Sequence, residues 1–221
     1  MNPEVGAVHV ALHGDPRERV AATARRHRST TFMTIHAALA AVLARHNDTD
    51  DIVIGTAVAG RAIRDWIRSW ACSPRRCTCA RDVGRRGQGV RGPARARAGA
   101  GHRGLRAVDT PFERIVERVA PERYSARHPI YPGALAVRRP GSVRFTLPGL
   151  EVVSAAPIES ASTQFDLHVT VTEKPDGLDF EFAYPSRPVR SSTIEAFAAR
   201  LIRFLDHVTA DPGLPIGDVA Y

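Results

Sequence analysis

The sequence predicts an α/β (α+β layered) domain in which a mixed sheet carries helices packed on one face. Three observations lead there. Runs of alternating or β-branched apolar residues (residues 7–12 and 51–59) are interleaved with segments of helical apolar spacing. Near the C-terminus, Lys174-Pro175-Asp176-Gly177 separates two alternating runs, as a hairpin turn does. A hydrophobic share of 43% over 221 residues is enough for one domain, or two small ones, with a real core.

The elements follow in order. "AVHVAL" alternates and reads as a strand over residues 7–12. Asp15 then stands at an N-cap position, with Pro16 in the first turn and Glu18 at capping-box spacing, so a helix should run to about His27. A second helix starts near Thr31 and aligns Phe32, Ile35, Leu39, Val42 and Leu43 on one face. It ends near "RHNDTD", and "DIVIGTAVA" follows as a buried strand. Thr110-Pro111-Phe112-Glu113 opens a helix that reaches about Val119. "HPIYPGALAVR" and "LEVVSAAPI" read as strands, and "FDLHVTVTE" with "LDFEFAY" forms the hairpin. A last amphipathic helix, residues 192–209, carries Ile194, Phe197, Ala198, Leu201, Ile202 and Leu205. No internal repeat is visible.

Charge divides the chain unevenly. The formal net charge is +8, yet residues 61–107 hold 13 arginines against Asp65 and Asp82, and everything outside that window is slightly acidic. All three cysteines (Cys72, Cys77, Cys79) and both tryptophans (Trp66, Trp70) also lie in the window. The basic character therefore belongs to one segment. The opening residues lack a secretion signal and no apolar run reaches the ~18 residues of a membrane helix, so a cytoplasmic location with reduced cysteines is expected.

No catalytic or metal-binding set stands out. His46 begins "HNDTD" at a helix end, where turn residues account for the composition. His36 lies beside Ile35 and Leu39 and reads as a packed histidine; His13, His27 and His207 sit near element ends. None has the acid or nucleophile neighbour that general-base chemistry needs. Cys72, Cys77, Cys79 and His102 would give a C-x4-C-x-C set, which is not a standard zinc spacing. The Arg/Gly-rich run could contact phosphates, but no aromatic is interleaved between Cys72 and Gly104 to stack on bases.

The flanks resemble a family. "TTFMTIHAALAAVLARHNDTDDIVIGTAVAGR" looks like the middle of nonribosomal peptide synthetase condensation domains, where a strand ends in Gly-Thr-x-Val-x-Gly-Arg, here Gly55 to Arg61 with Gly60 between. Asp109, Pro111, Phe112 and Glu113 match a His-x-Asp-x-Pro-Phe-Glu motif, with Ala107 in place of the histidine. Arg123, Arg127, Pro129 and Ile130 match Arg-Asp-x-Ser-Arg-x-Pro-Leu, with Tyr124 and Ala126 as departures and His128 at a position that tolerates several residues. "FDLHVTVTEKPDGLDFEFAY" and "PIGDVAY" look like that family's last hairpin and end.

The resemblance implies a chloramphenicol-acetyltransferase-like lobe over residues 1–221, the C-terminal one of two. The family forms amide bonds between aminoacyl or peptidyl thioesters, using His-His-x-x-x-Asp-Gly in the first lobe. That motif is absent from this sequence, so the segment is expected to be inactive alone, with no catalytic residue and no metal. Gly55, Gly60, Arg61, Asp109, Pro111, Phe112, Glu113, Arg127 and Pro129 are expected to be mainly structural. No cofactor of its own is expected, since family substrates ride on the phosphopantetheine of carrier proteins. Its implied partners are an N-terminal condensation lobe, carrier proteins and adenylation domains; nucleic acid and membrane are not expected. Residues 64–107 have the family's length but not its residues. Shifting a GC-rich back-translation near Asp65, Val83 and Val108 restores a Val-Gly-x-Phe segment, a Leu-x-Leu-Arg strand and an apolar-periodic helix. The window therefore reads as out of frame, and so much charge should leave it disordered, with a central strand lost from the sheet. Two alternatives stand beside this reading: a basic nucleic-acid-binding or adaptor protein, and a complementing lobe that docks on a separate first lobe.

Overall fold

The computed structural model describes residues 4–49, 51–59, 74–82, 112–119, 128, 130–139, 165–211 and 219, with backbone alone in parts of residues 51–59, 74–82 and 112–119. Among the described residues six strands form one sheet: β1 (Val5–His13), β2 (Asp51–Ala59), β3 (Pro74–Asp82), β4 (Gly133–Arg138), β5 (Leu167–Lys174) and β6 (Gly177–Pro185), in the order β1-β6-β5-β4-β2-β3. The β2–β4 and β4–β5 pairings are parallel and the others antiparallel, so the sheet is mixed as expected. The helices are α1 (Pro16–Arg26), α2 (Thr31–Asn47), α3 (Phe112–Val119) and α4 (Ser191–Ala210).

Alternation builds the core. Val8, Val10 and Leu12 of β1 lie across from Phe182, Phe180 and Leu178 of β6, and Val169 and Val171 of β5 continue the rows. With Leu135, Ile52 and Ile54 they form one apolar layer against α2 and α4. Phe197, Leu201, Phe204, Leu205 and Val208 close it from α4. Phe197 meets Phe182 edge-on at 6.3 Å between ring centroids. Each such side chain contributes on the order of 1.5–3 kcal/mol by leaving water.

α2 departs from the one-sided stripe expected of it. Every residue from Met33 to Val42 is buried, while Phe32 and Leu43 of the expected apolar face are half-buried. The cause is position: α2 is sandwiched by α1, α4 and the sheet. The small Ala37, Ala38, Ala40, Ala41 and Ala44 permit that close approach on all sides. Its N-terminus is capped by the Thr30 hydroxyl, which accepts from the Met33 amide at 3.2 Å. Asp48 ends it in the left-handed region at φ 46°, with its amide bonded to the Ala44 carbonyl. Residues 46–49 are thus a helix terminus, as the sequence suggests.

One expectation needs correction. Asp15 precedes α1 but has helical dihedrals and makes no side-chain cap bond, so the capping box does not form. An N-cap oxygen reaches the N2 or N3 amide from an extended backbone, which Asp15 lacks. Part of the arginine-rich window is also described. Residues 74–82 form β3, which pairs with all nine residues of β2, from Asp51↔Asp82 to Ala59↔Pro74. A ladder is made of main-chain groups that every residue but proline carries in full, and the edge of a sheet accommodates charged residues. β3 is the edge strand of the sheet, not a central one; the rest of 64–107 lies outside the described residues. The expected strand over residues 150–158 lies outside them too.

Candidate functional site

Among the motif residues expected to be mainly structural, Gly55 is the one whose side-chain surroundings are described. It sits in β2 between Ile54 and Thr56, paired with Ala134 on one side and Thr78 on the other. Ile54 faces the helices, so the alternation of a strand turns the Gly55 position to the opposite face. The Tyr131 ring occupies that space: a Cβ on Gly55 would lie 1.9 Å from Tyr131 Cε2 and 2.3 Å from Cζ. Only glycine admits this contact, which gives Gly55 a steric rather than a chemical role. Phe112 and Glu113 open α3, which lies against β3. Gly60, Arg61, Asp109, Pro111, Arg127 and Pro129 lie outside the described residues.

Around Tyr131 the structure gathers side chains that the sequence does not mark as a group. Tyr131 is 1% exposed. His128 lies over it at 3.9 Å between ring centroids, and Phe165 stacks at 5.6 Å with planes 20° apart. Phe165 in turn approaches His168 at 5.6 Å. The His128 Nδ1 accepts from the Tyr131 amide at 3.3 Å and from the Ile130 amide at 3.5 Å. That bond closes the turn carrying Tyr131 onto the sheet and keeps Nδ1 unprotonated while it lasts. His128 is therefore a fixed turn element, although the sequence gives it no role.

His168 belongs to the same face. Its register neighbours are Ala134 and Ala183, and Ala183 pairs in turn with Ala7. Gly55, Ala134, His168, Ala183 and Ala7 thus make one row of small residues broken by a single imidazole. Burial pushes the His168 pKa below the ordinary 6.5 and the Arg138 charge adds to that, while Glu181 opposes it. His168 is neutral at pH 7 on this account. Glu181 itself stands opposite His9 and Thr170. Elsewhere His36 is buried in α2 beside Phe32, the packed histidine expected of it. Among the described residues no group of histidine, cysteine or acid side chains is spaced to hold a metal. In the same residues no helix is long and apolar enough to cross a membrane.

What this arrangement offers is a docked loop on a sheet face. Comparison with known proteins then decides the family. A probable non-canonical nonribosomal peptide synthetase, CymA, from Salinispora arenicola is 30% identical over 220 residues, or 94% of this chain. A dimodular nonribosomal peptide synthase from Bacillus subtilis is 29% identical over 96% of it. Among solved structures, the X-domain from teicoplanin biosynthesis has a TM-score of 0.89 at 26% identity, covering 98% of this chain and 50% of its own. The first condensation domain of the calcium-dependent antibiotic synthetase has the same fold, with a TM-score of 0.77 at 19% identity. This chain is a partial condensation domain. It spans about half of those solved domains, and only 3% and 9% of the two synthetases. No protein-family model matches it. The structure thus brings Gly55 beside Tyr131, which directly follows Ile130 in the sequence.

Proposed function

We propose that this condensation-domain segment is the C-terminal lobe of an enzyme that joins carrier-bound aminoacyl or peptidyl thioesters into an amide, and that it does not turn over alone. The observation that carries the reading is similarity to peptide synthetases over 94% and 96% of this chain in a sequence containing no His-His pair. Attack of an acceptor amine on a thioester is assisted by a base positioned within hydrogen-bond reach. His128 is committed to two amides of its own turn, and His168 lies among small residues and Phe165. The lobe's contribution is then a wall: a sheet face on which Tyr131 sits against Gly55, held there by His128 and Phe165. Substrates would ride on the phosphopantetheine of carrier proteins. The partners would be the first lobe, those carriers and an adenylation domain. The rest of the arginine-rich window would be an out-of-frame stretch with no role of its own.

The test is complementation. The chain is mixed with a separately produced half carrying His-His-x-x-x-Asp-Gly and with carriers loaded with donor and acceptor. Amide product from the mixture but from neither half supports a complementing lobe. Product from the other half alone, unaffected by this chain, removes the proposed role. A salt-dependent affinity for nucleic acid, with log K falling linearly in log salt, would favour the basic-adaptor alternative.

A further inference from the structure

A cavity of about 400 Å³ opens between α2, β2 and the first residues of β4 and β5. Its cause is a mismatch in strand length. β2 and β4 share two register pairs, Ile54↔Gly133 and Gly55↔Ala134, so the first residues of β2 have no β4 partner beside them. The space is walled by Leu39 and Leu43 from α2, Ile54 from β2, and Leu167 and Val169 from β5. Asn47, at the end of α2, and Asp166, just before β5, add oxygen acceptors to an otherwise apolar lining. The volume falls within the roughly 300–1,000 Å³ of small-molecule sites. Apolar cavities of roughly 150 Å³ already take benzene-sized guests.

We propose that this cavity binds a linear aliphatic chain with an uncharged, hydrogen-bond-donating head, tail inward against Leu39, Leu43 and Val169 and head toward Asn47 and Asp166. Apolar walls reward each methylene that leaves water, and a flexible chain adapts to the lining side chains. An oxygen-rich mouth favours a hydroxyl or amide N–H over a carboxylate. An aliphatic occupant requires nothing of the amide-forming reaction.

The probes are butanol, hexanol, octanol and octanoate, titrated into the 221-residue chain with methyl chemical shifts as the readout. The methyl groups of Leu39, Leu43, Ile54, Leu167 and Val169 should shift saturably. Affinity should rise roughly fourfold per methylene along the alcohols, and octanoate should bind at least about tenfold more weakly than octanol. Leu43→Trp, at a half-buried position, should fill the space and remove binding while leaving the Val8 and Val10 methyl signals in place. If that variant fails to fold, the wild-type titration decides alone. Non-saturating shifts, shifts spread over β1 and α4, or an affinity flat in chain length would overturn the site.

Discussion

Replacing Gly55 with alanine separates two effects of opposite sign. Alanine restricts the unfolded chain more than glycine does, so backbone entropy alone would stabilise the variant by about 0.5–1 kcal/mol. The structure demands the reverse. The new Cβ would lie 1.9 Å from Tyr131 Cε2, 2.3 Å from Cζ and 2.4 Å from Cδ2, so the ring must retreat by roughly 1.5 Å to regain ordinary contact. Retreat is blocked because His128 and Phe165 pack on the same ring. Overpacking of a rigid site costs about 1–3 kcal/mol, and loss of a buried aromatic costs about 3–5 kcal/mol. Gly55→Ala should therefore destabilise by about 2–4 kcal/mol. The assay is equilibrium urea unfolding of wild type, Gly55→Ala, Tyr131→Ala and the double variant. A clash with the ring requires the double variant to be more stable than the sum of the single changes by about 1–3 kcal/mol. A Gly55→Ala variant within about 0.5 kcal/mol of wild type, or an additive cycle, would refute the steric account.

Three further outcomes follow. A Cβ at Gly177 would lie 1.9 Å from the Leu12 carbonyl oxygen, which is backbone and cannot swing away. Gly177→Ala should cost at least about 3 kcal/mol in the same unfolding assay, and a neutral result would mean that β1 is placed wrongly. The His168 pKa is lowered in the folded state, so the unfolded chain binds more protons just below pH 6.5. Stability should fall as pH drops through that region and level off below the folded value. His168→Gln should flatten this part of the curve, and identical wild-type and variant curves would count against the buried imidazole. For β3, several amides along β2, from Asp51 to Ala59, should exchange slowly with solvent, because β3 pairs with the whole of β2. Rapid exchange all along β2 would show that the β3 ladder does not persist.

Most of the sheet and its helices were legible because their chemistry is local. A two-residue period identifies residues 7–12 and the C-terminal hairpin, and the helical repeat of Ile194, Phe197, Leu201 and Leu205 identifies α4. β3 was not legible: a ladder forms between main-chain groups, and the Arg75-Arg76-Cys77 run offers no apolar alternation to betray it. The immersion of α2 was also hidden, since an apolar stripe on one face says nothing about alanines being covered on the others. For the site, the motif marked Gly55 but not its reason. That reason is Tyr131, which is remote in sequence and reaches Gly55 through parallel β2–β4 pairing. His128 and Phe165 are farther apart still, and their stacking on one ring is a tertiary fact with no sequence period.

The most direct measurement of the central claim is intact-mass analysis of an acceptor-loaded carrier protein incubated with a donor-loaded carrier and this chain alone. The account expects no transfer above a carrier-only blank, because the sequence contains no His-His-x-x-x-Asp-Gly motif. Turnover above that blank, abolished by His168→Gln or His128→Gln, would contradict it and place the chemistry within this lobe.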